Sequence, residues 1–352
     1  YYFTNWLKQP NFYKNYKKNH KSKKNIITDV LINKINFKKN TATSIDIKLK
    51  NKKIKVSGKQ FIFACGVYEN VKFFLDNQNL PCKSNKYIGK YFQDHLGLFI
   101  GDVKIINKKN FFLLFNNGYL KNSLYQPKLK FIYRDNLNNL GISAEFKFYS
   151  KYYSNLEKFK TSLKNLINDF SILSVYQLFK RIIKLRLISF SLLYHYLFYK
   201  KIKSYSDLGI KLYLQSEQIP LYESKIKKIK KNNYSVNWKI SGDEIKAMKY
   251  FVKEVKLFLL SNNLAKVDSD NFYELSNSKI LKNIRDTNHP CGGLIISKTS
   301  NSGVVDKNCK VWKTSNVYVA GSSIFPKSSF ANSTFTSLAF ALKLADKLKK
   351  NV

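Results

Sequence analysis

A chain of 352 residues with 44% hydrophobic and 15% aromatic content can bury a sizeable core, which excludes a disordered tail or linker. Its formal charge of +41 comes from 63 Lys and Arg against 22 Asp and Glu, yet only Arg134, Arg181, Arg186 and Arg285 are arginine. Lysine dispersed along the whole length lacks the bidentate fork of phosphate readers, so the charge reads as a solvated surface, with nucleic-acid or anionic-membrane binding as the alternative.

Cys65, Cys82, Cys291 and Cys309 form no CxxC pair, so neither a zinc site nor a disulfide framework is expected. The first residue is Tyr1 and not Met, and the chain reads as a fragment. Its localisation stays open between cytoplasmic and membrane-peripheral.

Tyr1 to His20 is aromatic and basic without a period. From Ile26 the pattern alternates, and Ile45, Ile47 and Leu49 face Ile54 and Val56 across Asn51-Lys52-Lys53, which predicts a hairpin. Phe61 to Ala64 is a denser strand ending at Cys65-Gly66, followed by helical spacing at Val67, Val71, Phe74 and Leu75. Strand, glycine, helix is the unit of a nucleotide-binding layer and equally of a generic α/β core. Antiparallel strands are expected from Val103 to Phe148, and a helical insertion from about 152 to 201. The longest uncharged stretch of that insertion, Leu187 to Tyr199, is short of the ~20 residues that span a bilayer. It suits a helix at a membrane surface or substrate entrance, or plain core packing. A strand at Lys211–Gln215, a hairpin around Lys231-Asn232-Asn233, and a helix from Ser241 to about Leu260 follow, with Ser241 and Glu244 as a capping pattern.

The last segment, Asn316 to Lys350, sets the short strand Val317-Tyr318-Val319 against a loop of small residues and then an amphipathic helix. Small residues let backbone approach a bound group closely. A helix starting near Ser333 or Thr334 presents unpaired N–H groups, which favour negative charge such as that of a reduced flavin. Upstream, NHPCGG (Asn288–Gly293) holds His289 at a rigid turn. If strand and helix pack in one layer, His289 and Asn332 converge there. His289 could then take an alcohol's proton while hydride leaves for the flavin. An ordinary turn histidine is the alternative.

These segments resemble the glucose–methanol–choline (GMC) flavoprotein oxidoreductases. HPCGG, GVVDKNCKV and NVYVAGSSIFPKSSFANSTFTSLAFALKLAD match the family's C-terminal text in order. FACGVYENVKFFL, YIGKYFQDHLG and EQIPLYESKIKKIKKNNYSVNWKIS are similar to earlier family passages. The resemblance implies an α/β (α+β) fold, an incomplete FAD-binding Rossmann-like domain with an inserted substrate domain of antiparallel sheet and helices. It places the FAD-binding parts at 1–102 and 285–352 and the substrate domain at 103–284. It implies FAD as cofactor, His289 as base and Asn332 as its partner on the substrate oxygen. Val30, Cys65, Gly66, Gly321, Ser322, Asn332 and Thr334 would contact the cofactor, and no metal site is implied.

The implied substrate is a small alcohol, with a sugar or polyol favoured, and the implied activity is a dehydrogenase passing electrons to an unassigned acceptor; a fragment that keeps the fold without catalysis is the alternative. His95 matches a family motif and reads as structural, whereas His20 and His195 have no counterpart. The family's GxGxxG is absent, which implies that an N-terminal segment is missing. Ser333 stands where the family has proline, and GGLIIS replaces the usual GTxRMG.

Overall fold

The computed structural model describes residues 2–5, 26–120, 123–134, 139–168, 171–230 and 232–350, so His20 and its neighbours lie outside the described residues. Tyr2–Asn5 (β1) pairs with a later strand. Val30–Lys38 (β2), Thr41–Leu49 (β3) and Lys52–Ser57 (β4) form the antiparallel sheet that their alternation predicts, β3 in the middle. Phe61–Phe63 (β5) buries both phenylalanines and leads into Gly66–Asp76 (α1). That helix buries Val67, Val71 and Phe74 at a spacing of four and three. Each such side chain contributes about 1.5–3 kcal/mol when fully buried.

Leu96–Ile105 (β6) begins a second layer. The region predicted as strands alone then holds a helix, Lys108–Phe115 (α2). Its run FFLLF fits a period of four as well as two, and Asn107 settles the choice by accepting the N–H of Asn110 as a cap. Gly118–Leu120 (β7), Ser123–Arg134 (β8) and Asn139–Tyr149 (β9) follow, then the helices Lys151–Asn168 (α3) and Ile172–Tyr199 (α4) of the expected insertion. Gly209–Ser216 (β10) returns to the sheet, and Lys225–Lys230 (β11) with Asn233–Asn237 (β12) make the expected hairpin.

The sequence pattern predicts Ser241 as the next cap, but Gly242 takes that place at φ 101° and the helix runs Asp243–Ser261 (α5). Ser241 still serves, accepting from the Asp243 N–H and donating to Glu244, whose carboxylate also accepts from the Gly242 N–H. Ala265–Val267 (β13), Asp270–Glu274 (α6) and Asn277–Asn283 (α7) precede Val317–Val319 (β14), a 3₁₀ turn Ser322–Ile324 and Thr334–Lys349 (α8).

The large sheet is ordered β1-β8-β9-β10-β6-β13, with β7 added on β8. Its buried face, with Leu96, Ile142 and Leu212, packs with Ile245, Met248 and Phe251 of α5 as one hydrophobic cluster. A second cluster gathers α1, the parallel pair β5–β14 and the end of α8. Asn316 fastens the three-stranded sheet to that pair. Its amide donates to the carbonyls of Ala42 and Lys59, each at 2.8 Å, and accepts the Ala42 N–H at 2.8 Å. Among the described residues no helix is long and apolar enough to cross a membrane.

Candidate active site

β5 and β14 run parallel, so Cys65-Gly66 and Gly321-Ser322 leave the same end of the layer. Asn70 of α1 ties the two exits, accepting the Cys65 N–H at 3.0 Å and donating to Ser323 at 3.1 Å. Gly66 and Gly321 sit at φ 81° and 107°, and a Cβ on either would meet no protein atom within 4 Å. Their backbone is therefore approachable from outside the protein.

A ladder of backbone bonds lays the segment after His289 along the 3₁₀ turn. Gly292, Leu294 and Ile296 donate to Ser322, Ser323 and Ile324. Ser322 fixes the turn further by donating to the Pro290 carbonyl at 2.9 Å. Gly292 has φ 81°, and a Cβ there would collide with the Tyr91 carbonyl, so the second half of NHPCGG needs its glycine. On the other side, Gln93 and Cys291 exchange backbone bonds, as do Gly97 and Arg285. Residues 93–97 thus run antiparallel to 285–291, and His95 faces His289.

Their rings stack at 5.4 Å between centroids and 20° between planes. Both line a cavity of about 190 Å³ whose other walls include Cys291, Phe325, Ser328, Asn332 and Phe340. The sequence reading takes His95 as structural rather than catalytic, and the structure adds where it stands. It is 1% exposed, yet it forms the cavity wall beside His289. Gln93, Asp94 and His95, consecutive in QDHLG, are all buried polar residues. Burial first, then His289 and Lys128, push the His95 imidazole down to about 4, so it is neutral at pH 7.

Asp94 organises the turn under the pair. Its carboxylate accepts the N–H groups of His95 at 2.7 Å, His289 at 3.1 Å and Thr287 at 3.3 Å. Burial pushes its carboxyl up, against the pull of those backbone donors. The Thr287 hydroxyl donates to Asp94 at 3.3 Å and lies 3.0 Å from His289 Nδ1. A hydroxyl carries one proton, and an ionised carboxylate only accepts. With that proton on Asp94, Thr287 accepts from Nδ1–H, which leaves His289 Nε2 with a free lone pair.

Asn332 lines the same cavity, as do Ser333 and Thr336 around the start of α8, and no side chain caps that helix. The structure thus brings His289, Asn332 and His95 together. It sets Gly66 beside Gly321 and Ser322, with Cys65 exposed next to them. Thr334 is the first residue of α8 and exposed. Val30 opens β2 and is not part of the cavity wall. His195 lies on α4, its Nδ1 bonded to the Ser191 carbonyl. Among the described residues no group of His, Cys, Asp and Glu could hold a metal ion. Burial pushes the thiols of Cys82 and Cys309 up to about 11 and that of Cys291 to about 12.

Residues 224–341 match the family profile described as GMC oxidoreductase. No curated protein sequence matches the chain. Among solved structures, pyridoxine 4-oxidase from Mesorbium loti is similar at a TM-score of 0.53 and 11% identity, covering 90% of this chain and 57% of its own. A variant of the formate oxidase of Aspergillus oryzae RIB40 gives a TM-score of 0.54 and 14% identity, covering 92% and 60%. An FAD-dependent oxidoreductase from Chaetomium thermophilum gives 0.51 and 15%, covering 92% and 61%. The chain therefore spans about three fifths of the length of the structures it resembles, and at these identities the likeness is one of fold.

Proposed function

We propose, for a chain whose residues 224–341 match the GMC oxidoreductase profile, an FAD-dependent oxidation of a CH–OH group, with a sugar or polyol as the favoured substrate. The observation that carries the reading is that His289 and Asn332, 43 positions apart in sequence, line one cavity with the buried neutral His95. The residues fit the cofactor. Gly66 and Gly321 offer open backbone at the parallel strand ends, and the uncapped start of α8 offers free N–H groups beside the cavity.

FAD, when bound, supplies the acceptor for the hydride. His289 Nε2 takes the hydroxyl proton, because its Nδ1 side is engaged by Thr287. Asn332 orients the substrate oxygen through its carboxamide. His95, held uncharged, stacks on the base without competing for protons at neutral pH. Phe325 and Phe340 keep water from the reacting atoms. In this reading 1–102 and 285–352 serve the cofactor and 103–284 the substrate.

The test is anaerobic reduction of the FAD-supplemented protein by a panel of alcohols, followed in the visible flavin band. Replacing His289 by Ala should slow reduction by about 10²–10⁴-fold with FAD still bound. Unchanged rates in that variant, or no reduction of bound FAD by any alcohol, would sink the proposal.

A further inference from the structure

Helix α4, Ile172–Tyr199, carries an apolar stripe on its solvent side. Ile172, Tyr176, Phe179, Ile183, Phe190 and Leu197 are all exposed, with Ile172 at 89%, Phe179 at 62% and Phe190 at 72%. Successive members are four, three, four, seven and seven residues apart, so at 100° per residue they fall close to one line along the helix. Exposed Tyr194 lies on the same line. The stripe runs for roughly 37 Å at 1.5 Å per residue. Ser174, Leu178 and Leu185, on the opposite side, are the less exposed positions, so the stripe is not the face turned to the protein. Leu113 of α2 is exposed as well, and its carbonyl accepts from Lys201, two residues past the end of α4.

The charge around the stripe selects its partner. Between Ser171 and Ser206 the sequence has seven Lys and Arg and no Asp or Glu. A second copy of this chain would bring its own +41 against the same cationic face. A nucleic acid satisfies the lysines but leaves a line of Ile, Leu and Phe against phosphate. Only an anionic lipid surface meets both, taking the apolar line among acyl chains and the cations at the headgroups. No described helix is long and apolar enough to cross a membrane, so α4 would lie along the surface.

We propose that α4, with Leu113 near its end, is a peripheral membrane-docking face for anionic bilayers. The proposal is independent of the redox reading, since it concerns neither the cavity nor its histidines.

The test is co-sedimentation of the full chain with phosphatidylcholine vesicles that contain about one third phosphatidylglycerol, alongside pure phosphatidylcholine vesicles. The double variant Phe179→Ser, Phe190→Ser changes two exposed side chains, and circular dichroism checks its fold. Wild type should partition onto the anionic vesicles at least about tenfold better than the double variant does, and at least about tenfold better than it does onto neutral vesicles. Equal partitioning of variant and wild type overturns the proposal. So does equal binding to neutral and anionic vesicles, or no vesicle binding at all. Light scattering showing that the stripe instead pairs two copies, with the pairing lost in the variant, overturns it equally.

Discussion

Acid should weaken this protein through one imidazole, and the amount can be worked from its surroundings. His95 is 1% exposed, and burial, with His289 and Lys128 nearby, holds it down to about 4 from an ordinary 6.5. Above pH 6.5 the imidazole is neutral in both folded and unfolded chains, so it costs nothing. Between 6.5 and 4 the unfolded chain binds the proton and the folded one does not, so stability falls as pH falls. A gap of about 2.5 pH units at about 1.4 kcal/mol each amounts to ~3 kcal/mol in full, of which ~2 kcal/mol is lost by about pH 5. Asp94 titrates with the opposite sign, because a raised carboxyl makes the folded state hold its proton more tightly. Lys128 is paired with Glu145 at 3.0 Å in both proteins. The His95 share is therefore isolated by difference. Urea unfolding followed by tryptophan fluorescence, on wild type and His95→Gln, at neutral pH and at about pH 5, gives that difference. Wild type should lose ~2 kcal/mol more than the variant over that interval. Parallel losses in the two proteins would refute the reasoning, and with it the assignment of a buried neutral His95.

Two further outcomes test the site. Thr287→Val removes the hydroxyl that links Asp94 to His289 Nδ1. Turnover should fall about tenfold as the tautomer that frees Nε2 loses its partner, and the loss should be in kcat more than in KM; an unchanged kcat counts against that link. Gly321→Ala places a methyl in open space but keeps φ at 107°, so thermal or urea unfolding should show a loss of about 1–3 kcal/mol from backbone strain alone, and flavin content should drop with it.

The sequence was most legible where one period dominated. The hairpin β3–β4 and the strand-to-helix turn at Gly66 could be read from alternation and from a spacing of four and three. Helix α2 could not, because FFLLF satisfies both periods and only the Asn107 cap chooses between them. The start of α5 was displaced because Gly242, free to take φ 101°, lets the Glu244 carboxylate turn back onto its amide. In the candidate site, His289 and Asn332 were singled out through the wording of the last 65 residues, and both line one cavity. The place of His95 beside His289 was not legible, for a physical reason. Its closeness to His289 depends on the antiparallel bonds between 93–97 and 285–291, nearly two hundred positions apart, and no local pattern encodes a contact of that range.

The cavity lies at a seam, and the seam is polar. Trp238 packs against both hydrophobic clusters, and its indole N–H donates to Gln218 at 2.7 Å. Gln218, itself fully buried, also accepts the Asp94 N–H on its side-chain oxygen, donates its amide to the carbonyl of Lys239, and donates its backbone N–H to the Ser328 hydroxyl. Ser328 in turn donates its N–H to Gln93, whose amide reaches the carbonyls of Tyr91 and Pro326. The side-chain oxygen and nitrogen of both glutamines are engaged, so neither atom carries the cost of an unpaired buried polar group. A dispersive contact tolerates sliding by a fraction of an ångström, but a chain of directional bonds does not. The two halves of the molecule are thus fixed in register at the residues that flank His95, His289 and the loop before Asn332. That register lets side chains from three distant segments form one cavity wall.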